Sequence, residues 1–178
     1  MGYNMKEAIH MRQIRQYIGI LAAAAAYYLV HEGAHLLCAV HLGTFKQIRF
    51  MGIGIQIDVY AEQMTNGQMA LFCIAGASAT LSAGIALSAL AGIICRAKSK
   101  LLRAVMYYIT ISLLLLDPLY LSILCGFFGG GDMNGISLLC PEWIARSAFA
   151  VLLIINGWIF WKQVLPAYKE SFSNEPEI

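Results

Sequence analysis

Two histidines four residues apart with a glutamate between them, His31-Glu32-Gly33-Ala34-His35, form the segment of this chain whose residue types and spacing can do chemistry. On a helix, positions four apart lie one turn above each other on the same face, so two imidazoles can reach one metal ion. Glu32 sits beside that pair, where a carboxylate can take the proton of an attacking water. With the histidine and glutamate content of this chain the pattern arises by accident about 0.3% of the time, which makes chance a poor explanation. The bland alternative is a trio of side chains satisfying one another in a helical bundle. Ionisable groups at membrane depth are costly, however, and mark function by default.

Two histidines leave a tetrahedral zinc short of a protein ligand, because catalytic zinc sites usually hold three plus water. The candidates for the third are Asp132, Asp117 and Glu142. Asp132 is favoured: it follows Gly129-Gly130-Gly131, which let the backbone approach closely, and opens the segment Asp-Met-Asn-Gly-Ile, so its carboxylate can point back into a bundle. Asp117 stands inside an apolar stretch, but Pro118 beside it offers another role, a helix-break residue bonding freed amides. Glu142 falls near a membrane interface, where a solvated carboxylate is the ordinary expectation. His41 lies six residues past His35, about 600° around the helix, and faces away from the pair. His10 is expected in solvent.

The elements that must carry these residues are apolar. Of the 178 residues, 60% are hydrophobic and 12% charged, against about 25% charged in an ordinary soluble domain. Residues 63–95 carry no charge, 16–45 carry only Glu32, and 104–131 carry only Asp117. A run of roughly 18 apolar residues already reads as a span. The expected fold is an all-α membrane protein of about four transmembrane helices with a small β-hairpin or strand segment after the first. Residues 1–15 form an N-terminal surface helix, 16–165 the integral membrane domain, and 166–178 a polar, frayed tail. The spans are expected near 16–42, within 69–95, near 104–128 with a break or kink at Asp117-Pro118, and near 143–161. Between Phe45 and Tyr60 the period changes to two: Ile53, Ile55, Ile57 and Val59 alternate with Gly54, Gln56 and Asp58, and Met51-Gly52 is placed at the turn. Ala22 to Ala26, and Gly76, Ala79, Ser82 and Gly84, read as faces where helices approach closely.

Charge and cysteine usage narrow the classes further. A net charge of +2 without a long run of like charges speaks against nucleic acid as a partner. The five cysteines are scattered without CxxC spacing and read as small core residues. Lys6 stands where a myristoylation signal wants Ser or Thr, and no cleavable leader precedes the first span, so that span is expected to stay. Four spans put nine of the twelve Lys and Arg residues on the side of the two termini and the 96–103 loop. The positive-inside rule then places both termini in the cytoplasm, in what is expected to be a prokaryotic plasma membrane.

The sequence resembles the site-2 protease family of intramembrane zinc metalloproteases. The resemblance rests on HEGAH inside a span, the strand-like segment after it, the small-residue run Gly76-Ala77-Ser78-Ala79-Thr80, and a downstream aspartate at the end of another span; it covers roughly residues 18–139. It implies zinc held by His31, His35 and Asp132, Glu32 as general base, and a three-span core that buries the metal within the bilayer. The family's Asn-x-x-Pro-x-x-x-Leu-Asp-Gly pattern appears only as Asp117-Pro118, a longer gap, and Asp132-Met133-Asn134-Gly135. Its Gly-Pro-x-x-Asn becomes Gly-Ala-x-x-Thr, with Thr80 in place of the Asn that would bond a substrate backbone.

The implied substrate is a membrane-anchored protein or a hydrophobic peptide, unwound where it is cut. The alternating segment offers a strand edge, through Ile55 and Ile57, with which an extended substrate can pair; a hairpin that only caps the bundle is the equal alternative. No PDZ or CBS module fits in the length, so regulation is expected from a membrane partner. A prenyl-protein type of membrane metalloprotease shares only HExxH and needs Glu-x-x-x-Asp, where this chain has Glu142 followed by Arg146. A non-catalytic protein that binds membrane helices or assists an exporter is the reading from another class, and it leaves the intact Glu32 unexplained.

Overall fold

The computed structural model describes residues 2–52, 54–129 and 131–173. No proline interrupts the first forty residues, and the surface helix and first span expected as separate segments are one helix, α1 (Gly2–His41). It ends where Gly43 takes a left-handed φ of +69°. The Thr44 amide then bonds the Ala39 carbonyl at 2.9 Å and the Gly43 amide bonds that of Val40 at 3.1 Å, which satisfies carbonyls the helix leaves open.

The alternating segment is an antiparallel hairpin of β1 (Phe45–Met51) and β2 (Gly54–Val59). Met51 pairs with Gly54, so the turn lies one residue later than the Met51-Gly52 placement, with Gly52 at φ +62°. Ile53 lies outside the described residues. Gln47 and Arg49 donate to the Asp58 carboxylate at 2.9 and 2.8 Å across the ladder, and hold that carboxyl below the usual range.

A Thr65–Gln68 capping box starts α2 (Asn66–Ala89), and the single turn α3 (Ala91–Ile94) follows it. Ser99 caps α4 (Lys100–Leu119) by accepting from the Leu102 amide. At Asp117-Pro118, where a break or kink is expected, α4 runs on through the proline to Leu119. Pro118 has no N–H, which leaves the Leu114 carbonyl without its helical donor, and Asn156 supplies one from the last span at 2.9 Å. Beyond the proline the ladder widens into a π turn over Tyr120–Leu124 before α5 (Cys125–Phe128). Arg146 donates to the Ser122 and Ile123 carbonyls of that turn at 3.1 and 3.3 Å.

The short helix α6 (Asp132–Ile136) then leads to α7 (Glu142–Ile159), a second π turn over Phe160–Val164, and α8 (Leu165–Ser173). The tail expected to fray from residue 166 is therefore helical to Ser173, because Tyr168 is buried against Val164 and Ala91 and anchors it. Residues 174–178 lie outside the described residues.

Among the described residues four helices are long and apolar enough to cross a membrane: Ile9–His41, Asn66–Ala89, Lys100–Phe128 and Glu142–Ser173. This is an integral membrane fold by length and composition, with a two-stranded sheet after the first span. α1, α2 and α4 pack on one another. The approach of α2 to α4 is backbone to backbone, since a methyl added at Gly84 would stand 2.8 Å from the Leu114 nitrogen. Leu21, Leu29 and Leu37 on α1 and Ile154 and Trp158 on α7 point outward, as side chains that face lipid do.

Candidate metal centre

His31 and His35 lie on the buried face of α1, and His31 is about 15 Å along the axis from the hairpin end of that helix. The two Nε2 atoms are 3.1 Å apart, and the Asp132 Oδ2 is 3.3 Å from one and 3.4 Å from the other. Ligand atoms on one tetrahedral zinc, each at roughly 2.0–2.1 Å, are separated by about 3.3 Å. Two imidazole nitrogens and a carboxylate oxygen at that spacing are a donor set that fits zinc.

Asp132 arrives there through the glycines before it. Gly129 has φ +96° and Gly131 φ +41°, conformations that L side chains rarely adopt, and they reverse the chain after α5 so that α6 turns back onto α2. Glu142, the third candidate, is exposed and pairs with Arg146 at 3.3 Å on the same helix, away from the histidines.

Asp117 is buried and takes neither role weighed for it in the sequence. It lies 3.3 Å from His31 Nδ1, the far edge of the ring from Asp132, so it does not share an ion with the Nε2 atoms. Nor does it bond freed amides. The Tyr27 hydroxyl donates to Oδ1 at 2.5 Å and the Thr80 hydroxyl donates to Oδ2. Thr80 is fully buried, and its hydroxyl lies closest to Asp117, with the Gly76 and Ala77 carbonyls 3.2 and 3.0 Å away, where the sequence placed it against a substrate backbone. His35 is mounted differently: its Nδ1 is 2.8 Å from the Phe72 carbonyl oxygen, a main-chain acceptor on α2.

Glu32 is half-buried beside the pair. The Tyr60 amide bonds Thr44 O at 2.9 Å, so alternation along β2 turns the backbone groups of Gln56 and Asp58 toward β1 and those of Ile55, Ile57 and Val59 to the open edge. β2 also packs against α1, the helix that carries Glu32. The Ile57 side chain packs in the core while that of Ile55 is exposed. An open groove of about 280 Å³ adjoins it, lined by Lys46, Arg49, Gln56, Asp58, Met69 and Phe72.

Two contributors are not apparent from the motifs. Tyr27 stands one turn before His31 on the same face and stacks on its ring, centroids 5.3 Å apart; the four-residue spacing is its only local signal. Gly76, read as a general packing residue, is the point where α2 meets both imidazoles. A methyl there would stand 2.6 Å from His35 Nε2 and 2.8 Å from His31 Nε2.

Comparison with family models, with curated proteins and with solved structures finds no match, so function is read from this geometry.

Proposed function

We propose that the protein is an intramembrane zinc endopeptidase of the site-2 protease type, acting on membrane-anchored proteins or hydrophobic peptides. The observation that carries the reading is the His31, His35 and Asp132 donor set at tetrahedral spacing, with Glu32 beside it, on helices apolar enough to span a bilayer. When bound, zinc supplies Lewis acidity, which polarises a scissile carbonyl and makes a water more acidic.

The chain's own residues do the rest. Glu32 accepts the proton of the attacking water and later delivers it to the leaving amine. A substrate helix must unwind before its carbonyl can be reached, and the open edge of β2, through the N–H and C=O groups of Ile55, Ile57 and Val59, offers hydrogen bonds to the extended segment in place of those it loses. Both termini face the cytoplasm in this proposal, on the strength of nine of twelve Lys and Arg residues on that side. Protease accessibility of a terminal tag in sealed vesicles reads the side.

The test is reconstitution of the full chain in vesicles with a panel of single-span helices, wild type beside Glu32→Gln and His31→Ala. Glu32→Gln keeps zinc and loses cleavage by roughly a thousandfold or more, the scale of removing an essential group, while His31→Ala loses both. Cleavage at the wild-type rate by Glu32→Gln would sink the mechanism. A zinc-loaded wild type that cuts none of the panel favours the helix-binding reading instead.

A further inference from the structure

We propose that Asp117 is the positioning residue of His31, and that Tyr27 and Thr80 form the clamp that aims it. The inference rests on the metal-centre reading and extends it from the ligands to the groups behind them. His31 Nδ1 lies 3.3 Å from Asp117 Oδ2. A carboxylate facing an imidazole nitrogen requires a hydrogen between them, so Nδ1 carries a proton, and Nε2, which faces His35 and Asp132, is the nitrogen whose lone pair a metal ion would take in place of any proton shared with Asp132.

The carboxylate in turn is fixed from two other directions. Tyr27 Oη donates to Oδ1 at 2.5 Å and Thr80 Oγ1 donates to Oδ2. Three donors on one carboxylate, from α1 and α2 onto α4, satisfy a charge that is 1% exposed at membrane depth. They also make its orientation independent of the Pro118 beside it, whose structural consequence is met by Asn156. Tyr27 has a second hold on the same ring, stacking on His31 with planes 21° apart. A ligating histidine whose other nitrogen donates to a carboxylate is a recurring way to fix the tautomer and raise the basicity of the ligand.

Zinc affinity of the purified full chain, measured by competition with a chelator, tests the assignment with zinc alone as the probe. Asp117→Asn is expected to weaken binding by roughly 10–100-fold, because its amide can turn an N–H toward Nδ1 and favour the tautomer that blocks Nε2. Tyr27→Phe should show a smaller loss in the same direction. Asn156→Leu, which disturbs the same stretch of α4 without touching the carboxylate, should leave zinc affinity unchanged.

A second readout needs no variant: in the metal-free wild type, the nitrogen NMR signals of His31 should show a proton on Nδ1, whether or not Asp132 holds a second one on Nε2. Wild-type affinity in a folded Asp117→Asn protein, or a His31 Nδ1 that carries no proton, overturns the inference. Should Asp117→Asn fail to fold, Tyr27→Phe and the nitrogen signals decide. A wild type that binds zinc while Asp117→Asn binds it equally defeats this inference alone; a wild type that binds no zinc defeats the metal-centre reading, and the His31 tautomer still reports on Asp117.

Discussion

The two histidines sit one turn apart on one helix, yet the molecule holds them by different means. His31 leans on a side chain: Asp117 from α4, itself gripped by Tyr27 and Thr80. His35 leans on the main chain, with Nδ1 2.8 Å from the Phe72 carbonyl, and its ring tilts against the Phe72 ring at 4.8 Å. A helical carbonyl has a second lone pair to offer, so any residue at position 72 would present the same acceptor. One mount is therefore written in residue identity and can be removed by substitution. The other is written in the placement of α2 and can be removed only by moving that helix.

Moving the helix gives the largest effect, and Gly76 is where it can be done. A methyl at Gly76 would approach His35 Nε2 and His31 Nε2 at 2.6 and 2.8 Å, so either the imidazoles or α2 must shift. Gly76→Ala is expected to cost zinc affinity on the order of 100-fold or more, at or beyond the roughly 10–100-fold of losing one outer partner, because both ligands are displaced together. Gly33, between the histidines, is the control, since a methyl there meets no atom within 4 Å. Gly33→Ala should bind zinc as the wild type does. Chelator competition on the two purified proteins checks both, and equal affinity in Gly76→Ala would mean that α2 does not close on the site.

The same division decides how much could be read from the sequence. His31, Glu32 and His35 were legible because helical spacing is local, and the hairpin because period two is local. Asp132 was legible through its glycines. The role of Asp117 was not, since its donors Tyr27 and Thr80 stand 90 and 37 residues away, and the neighbouring proline pointed to a helix break instead. The sequence could not show that the helix runs on through Pro118, because the remedy, Asn156 on the Leu114 carbonyl, comes from 42 residues downstream. Thr80 was placed by resemblance to a pattern, and only the packing of α2 against α4 shows its hydroxyl turned inward. The helix that runs to Ser173 was hidden in a polar composition, where Tyr168 is buried against Val164 and Ala91. The Phe72 carbonyl has no sequence signal of any kind, because every residue has one.

Phe72→Ala separates the two mounts by the smallest effect on the metal. The substitution removes a ring that is 8% exposed and packs with Ala39, Ile57 and Leu121, among others, and deleting such a side chain from a soluble core costs roughly 3–5 kcal/mol. It leaves the carbonyl in place. If His35 is held by the main chain, zinc affinity should stay within about threefold of wild type, well short of the range for an outer-shell loss, while the thermal midpoint falls. Asp117→Asn should do the reverse, weakening zinc with less change in the midpoint. Zinc titration and thermal unfolding on the two variants therefore form a crossed pair. A Phe72→Ala protein that melts like wild type but loses zinc as Asp117→Asn does would show that the ring orients His35, and the contrast between a mount made of side chains and one made of backbone would fail.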